Sequence, residues 1–99
     1  MAGKKAVKKA PRRAVVFTLE DSPGKQVFVA GSFCDWQPKY RLTDNEGSGV
    51  YSAKVLLEPG EYEYKFVVDG EWRLDAANPD FVPNDLGTLN SRLTVSAKK

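Results

Sequence analysis

The sequence predicts an all-β protein, an immunoglobulin-like (early-set) β-sandwich of about seven to eight short antiparallel strands. Three observations carry this expectation. Short runs rich in β-branched and aromatic residues alternate between two faces, as in EYEYKFVV over residues 61–68. Turn residues separate such runs at Asp21-Ser22-Pro23-Gly24, Glu58-Pro59-Gly60 and Asp69-Gly70. No segment sustains a helical apolar period, so helices should be minor. The Cys…Trp…Cys pattern of antibody domains is absent.

Taken in order, AVVFTLE (Ala14–Glu20) and QVFVAGSF (Gln26–Phe33) read as strands, and TDNEGSG (Thr43–Gly49) as a polar loop. VYSAKVLL (Val50–Leu57) is the next strand, and Glu58-Pro59-Gly60 turns it into a hairpin. In that hairpin Tyr62, Tyr64, Phe66 and Val68 share one face, while Glu61, Glu63, Lys65 and Val67 share the other. Asp69-Gly70 is a two-residue type I′ turn signal. It pairs Val68 with Glu71, Val67 with Trp72 and Lys65 with Leu74. Trp72 then emerges beside Lys65, away from the aromatic row. A turn of three or more residues would change that register. Ala76–Ser91, sixteen residues without clear secondary structure, reads as a binding loop restricted by Pro79, Pro83 and Gly87. A crossover packed by Phe81, Val82 and Leu86 is the alternative. RLTVS (Arg92–Ser96) closes the domain. The core is expected from Phe17, Leu19, Val27, Val29, Tyr51, Ala53, Val55, Leu57, Tyr62, Tyr64, Phe66 and Leu93 or Val95.

Composition narrows the function. Ninety-nine residues with 41% hydrophobic and 28% charged content make one modest globular domain. No apolar run approaches the roughly 20 residues needed to cross a bilayer, and no secretory signal is visible. No membrane partner is expected. Cys34 is the only cysteine, which rules out an intrachain disulfide and favours a reducing, cytoplasmic setting. Met1 and the lysine-ended C-terminus suggest a small complete protein, although a piece of a longer one would look similar. The net charge of +2 conceals an asymmetry: residues 1–13 hold six of the fifteen Lys and Arg and no acid. The remaining 86 residues carry nine basic and thirteen acidic groups, a net of −4. Residues 1–13 therefore read as a basic disordered arm and 14–97 as the folded domain. The arm has no interleaved aromatic residue to stack on bases, so nucleic-acid binding is not the expected role.

Catalysis is not expected either. Without histidine there is no histidine-based triad or common acid–base relay, and no metal or other cofactor is called for. Asp69, Glu71, Asp75, Asp80 and Asp85 cluster near the turn and the long loop, but so small a sandwich builds no deep cleft for a glycosidase pair. Cys34 lacks an activating partner. Gly47-Ser48-Gly49 is too short for a phosphate loop.

Three segments resemble a known family: GSFCDW (Gly31–Trp36), EYEYKFVVDGEW (Glu61–Trp72) and LGTLN (Leu86–Asn90). They are similar to the family-48 carbohydrate-binding modules, in particular the glycogen-binding domain of the AMP-activated protein kinase β subunit and the N-terminal modules of isoamylases and branching enzymes. The resemblance runs from about Val15 to Val95. It implies a β-sandwich that binds α-1,4-linked glucans, a polysaccharide or oligosaccharide, and a glycogen-metabolising enzyme or kinase subunit as a further partner. It implies Trp36 and Trp72 as stacking platforms, Lys65 and Asn90 as hydrogen-bonding groups, Leu86 projecting into the glucan curve and Thr88 as a polar contact. Cys34 and Asp35 depart from common asparagines, and Ser91 from a second asparagine.

The chemistry of these residue types agrees. A pyranose ring has apolar C–H faces and a hydroxyl rim; an indole covers the former, and ammonium and amide groups bond the latter. Two planes set at an angle should suit a curved chain. Each residue has a plainer reading: Trp36 as edge packing, Lys65 as a solvated side chain, Leu86 as core. Two rival functions stay open, a sandwich that docks an enzyme or kinase subunit through the tryptophan face, and nucleic-acid contact through the arm.

Overall fold

The computed structural model describes residues 12–96. The strands, in chain order, are β1 (Arg13–Glu20), β2 (Val27–Gly31), β3 (Tyr40–Leu42), β4 (Val50–Leu57), β5 (Gly60–Val68), β6 (Glu71–Arg73), β7 (Phe81–Pro83) and β8 (Leu89–Val95). One 3₁₀ turn, Ser32–Cys34, follows β2. All pairings are antiparallel. β1 and β4 form a two-stranded sheet, and the larger sheet runs β3-β2-β5-β8-β7 with β6 also on β5. The expected all-β sandwich is present. Most of the basic arm lies outside the described residues; Arg13 opens β1 opposite Leu57.

Alternation puts one set of side chains between the sheets. Phe17, Leu19, Tyr51, Ala53, Val55 and Leu57 come from the small sheet, and Val27, Val29, Tyr62, Tyr64, Phe66, Leu93 and Val95 from the large one. Each is buried or packs on the buried cluster, as expected. The structure adds Leu42 and Val68 to the centre, with Phe33 and Tyr40 against it. Phe17 meets Tyr64 edge-on at 5.0 Å and Phe33 at 5.7 Å, so aromatic contacts join the two layers.

The β5–β6 hairpin has the expected register. Asp69 and Gly70 both take positive φ, 49° and 86°, and Val67 pairs with Trp72. Asp69 also ties the tip to the sheet, donating its N–H to the Gln26 carbonyl and accepting the Gln26 N–H on Oδ1. Along the opposite edge of β5, Tyr64–Val68 pair with β2. On the hairpin side the edge is divided: Gly60–Tyr64 pair with β8, and Phe66–Val68 pair with β6. Lys65 stands at the handover.

Four element boundaries differ from expectation. β2 stops at Gly31, and Phe33 sits in the 3₁₀ turn. β3, read as part of no element, pairs with β2 from Val27↔Leu42 to Val29↔Tyr40. The long connection is shorter than it reads, because Phe81–Pro83 and Leu89–Ser91 pair as a second hairpin. β8 accordingly begins at Leu89 and not at Arg92.

The remaining crossover is clamped to the sheet by polar groups. The Tyr64 hydroxyl donates to Asp75 Oδ2 at 2.6 Å and accepts from Asn78 Nδ2 at 3.1 Å. Ser91, fully buried, accepts the Asp75 N–H on its hydroxyl, and Asn78 Nδ2 also donates to the Arg92 carbonyl. Burial, followed by the hydrogen bond to Asp75, pushes the Tyr64 phenol well above its ordinary 10.0. A raised phenol pKa means that the unfolded tyrosine ionises first. Stability is complete below about pH 10 and falls as pH rises beyond it. Thermal unfolding at about pH 9 and about pH 11 should show this loss. Tyr64→Phe should lower neutral stability by about 1–2 kcal/mol and flatten the alkaline slope.

Candidate functional site

The outer face of the large sheet, opposite the core, carries the groups of interest. Trp72 reaches it from β6 and Lys65 from β5, in the cross-strand relation the hairpin dictates. Their neighbour Val67 is flanked by Trp72 on one side and Phe28 on the other, and is buried.

Trp36 arrives from the turn after β2. Its N–H donates to the Gly31 carbonyl at 2.9 Å, and the Gln37 N–H donates to the Cys34 carbonyl at 3.0 Å. Phe33 enters the core on one side of this turn, packing edge-on to Tyr62 at 5.9 Å. The buried Cys34 thiol donates within the turn, to the Gln37 carbonyl at 3.2 Å. Gly31 lies so close to the Glu63 carbonyl and the Phe33 ring that an added Cβ would collide with both. Asp35 and Trp36 then take left-handed φ values of 54° and 60°, which side chains other than glycine adopt at a cost. These two residues reverse the chain and bring Trp36 over the sheet. Its ring centroid is 6.5 Å from that of Trp72, with 49° between the planes.

The third wall is the loop Asn84–Thr88 that closes the β7–β8 hairpin. The Asn84 N–H donates to the Thr88 carbonyl at 2.9 Å, and Gly87 takes the positive φ of 84° that the turn needs. Leu86 stands at the tip, 88% exposed, so it is not a core residue. Thr88 accepts a hydrogen bond from Lys65 Nζ at 2.9 Å, which closes the wall onto β5. Asn90, opposite Val82, is 6% exposed and donates through Nδ2 to Glu63 Oε1 at 2.8 Å.

Together these walls enclose an open groove of about 680 Å³. Trp36, Lys65, Trp72, Leu86, Thr88 and Asn90 all line it. Glu63, Pro83, Asn84 and Asp85 line it too, and none of these four is among the binding residues expected from the sequence. Glu63 could have been found from its place in the Glu61-Glu63-Lys65 row. Asn84 left only the faint signal of an asparagine before a glycine turn. Chemically the groove offers two apolar planes at an angle, an exposed leucine and a polar rim of one ammonium, one hydroxyl, two amides and two carboxylates. Two other acidic residues near the groove hold the frame: Asp80 pairs with Arg92 and Glu71 with Arg73.

Residues 13–99 match the family described as the glycogen recognition site of AMP-activated protein kinase. The chain belongs to this family of carbohydrate-binding modules. The rice protein FLOURY ENDOSPERM 6, chloroplastic, is 40% identical over 81 residues, covering 82% of this chain and 15% of that protein. The mouse 5'-AMP-activated protein kinase subunit beta-2 is 42% identical over 72 residues, covering 73% of this chain and 26% of the subunit. The pig beta-1 subunit is 42% identical over the same length, which is 56% of its sequence. The chain thus spans less than two thirds of the length of each. Among the described residues, no helix is long and apolar enough to cross a membrane.

The exposure of Leu86 separates stability from any role in the groove. Leu86→Ala should shift the urea unfolding free energy by less than about 0.5 kcal/mol. A loss of about 2 kcal/mol or more, comparable to that of an emptied core site, would place this side chain in the packing after all.

Proposed function

We propose that the groove binds α-1,4-linked glucans such as glycogen, starch or maltodextrins, without catalysis, and targets the protein or a partner enzyme to them. The observation that carries this reading is the pair of tryptophans, 49° apart and 6.5 Å between centroids, flanking a rim of hydrogen-bonding groups in one groove. Two flat planes tilted toward each other match successive sugar rings of a curved chain better than a single flat patch. Each indole covers the C–H face of a pyranose, and Lys65, Thr88 and Asn90 serve its hydroxyls. Leu86, held out from the loop, fills the concave side of the chain. Family membership supports the same ligand class.

In the wider protein the module is proposed to bring an attached or associated glycogen-metabolising enzyme or kinase subunit to its polymer. The basic arm is assigned no part in sugar binding. Residues 14–97 are taken as the binding unit; the first strand begins one residue before it, at Arg13, and the last ends at Val95.

Stacking one indole on a sugar face buries roughly 80 Å² of apolar surface, about 2 kcal/mol. Removing either tryptophan should therefore weaken binding about thirtyfold. Titrating intrinsic tryptophan fluorescence with maltoheptaose or β-cyclodextrin should give a saturable change. Trp36→Ala and Trp72→Ala should each lose retention on glycogen while unfolding cooperatively. A flat titration at millimolar sugar, with glycogen retention unchanged in both variants, would sink the proposal and favour a protein-docking role for this face.

A further inference from the structure

Among the groove residues, Asn84 makes four side-chain hydrogen bonds, and their directions can be assigned from chemistry alone. Its Oδ1 accepts the backbone N–H of Leu86 at 2.9 Å and of Thr88 at 3.1 Å. A backbone N–H can only donate, so this atom is the amide oxygen. The other end is then Nδ2, which donates to Thr88 Oγ1 at 2.8 Å and to Asn90 Oδ1 at 2.9 Å. Asn90 is fixed in turn. Its oxygen faces Asn84, and its Nδ2 faces the Glu63 carboxylate at 2.8 Å, which only accepts.

Thr88 has less freedom still. Its hydroxyl oxygen accepts from Asn84 Nδ2 and, at 2.9 Å, from Lys65 Nζ. Both lone pairs are used by groups that cannot accept in return. The hydroxyl proton is left to point into the groove.

We infer that Asn84, with Glu63 holding the other end of Asn90, is a positioning residue that sets the polarity of the rim: Asn90 is locked in one amide orientation, and Thr88 meets its ligand only as a donor. The inference rests on the glucan reading above and extends it to specificity. A sugar oxygen at Thr88 must be an acceptor there. The remaining Lys65 and Asn90 protons are donors as well, so acceptance by the protein is left to the two carboxylates that line the groove, Glu63 and Asp85. The rim is selective for the acceptor lone pairs of a neutral polyol, and a ligand ammonium group would find no acceptor at Thr88.

Asn84→Asp separates position from structure. The introduced carboxylate keeps two acceptors for the Leu86 and Thr88 N–H groups, so the loop is retained, but both Nδ2 donations are lost. Thr88 then turns its proton toward that carboxylate, and Asn90 loses its fixed orientation. Maltoheptaose affinity, read by tryptophan fluorescence, should fall at least about tenfold while the unfolding midpoint stays close to that of the parent protein. The loss should persist at about 1 M NaCl, where an effect of the added charge alone would be screened. Affinity within about twofold of the parent's, or a loss abolished by salt, overturns the inference. Should the amide resonances of Leu86 and Thr88 show that the loop has rearranged in the Asn84→Asp variant, Glu63 decides. Glu63→Leu should lose at least about fivefold, and Glu63→Gln, which still accepts the Asn90 proton, should recover most of it. Equal affinity of the two variants overturns the inference. Failure of the parent protein itself to bind maltoheptaose overturns the glucan reading instead, which keeps the two outcomes apart.

Discussion

Each residue of a β-strand offers one N–H and one C=O, so a stretch of its edge can serve only one neighbour at a time. β5 meets that constraint by dividing its outer edge, with Gly60–Tyr64 given to β8 and Phe66–Val68 to β6. The two partners therefore lie end to end along one edge and not side by side. The chain between them must leave the sheet and return, and the Tyr64–Asp75–Asn78–Ser91 cluster holds that excursion down. Because of the division, a hairpin tip carrying Trp72 and a hairpin loop carrying Leu86 and Thr88 face each other across Lys65. Register is equally strict. Asn90 and Ser91 are adjacent buried polar residues, one bonded to Glu63 on the outer face and the other to Asp75 on the core side. A slip of one residue would exchange them and leave both unsatisfied.

How much of this could be read from the sequence depended on how local each cause was. The Asp69-Gly70 turn admits one pairing, so the placement of Trp72 beside Lys65 followed from two residues. Core positions on β1, β4 and β5 followed from alternation. β3 and β7 did not, because each has only three residues and owes its strand character to the partner beside it, β2 and β8. Their own sequences, YRL and FVP, carry no pattern long enough to count. The end of β2 was hidden differently. The apolar run continues into Phe33, but the close approach of Gly31 to Glu63 and the left-handed pair Asp35-Trp36 turn the chain aside. The six groove residues were legible through resemblance. Asn84 was not, since an asparagine in a loop reads as a turn former until its four partners are placed around it.

The site inverts the usual distribution of side chains. Trp72 is 48% exposed and Leu86 nearly fully so, whereas Asn90 and Ser91 are buried. Trp36 sits in a backbone conformation that disfavours bulky side chains by about 1–2 kcal/mol. Such departures cluster where a surface is kept for something other than folding. They persist because the surrounding frame over-determines them. The Phe33 ring is fixed among Phe17, Tyr40 and Tyr62, and Cys34 is buried beneath the turn. The strain at Asp35 and Trp36 is thus held by packing on the other side of the same turn.

This arrangement decides what kind of binder the groove can be. Its polar rim is already bonded to itself, Lys65 to Thr88, Asn84 to Thr88 and Asn90, and Asn90 to Glu63. A ligand therefore has few side chains to order, and the entropic cost of association at the rim is small. For the same reason its hydroxyls gain little beyond the bonds they leave in water. The net gain must come from the apolar planes, which are two in number and open to solvent along one side. On the glucan reading, a shallow groove of this kind holds a single oligosaccharide modestly. A polymer that presents many equivalent segments raises the effective concentration at each module, so retention on it comes from multiplicity and not from one deep contact.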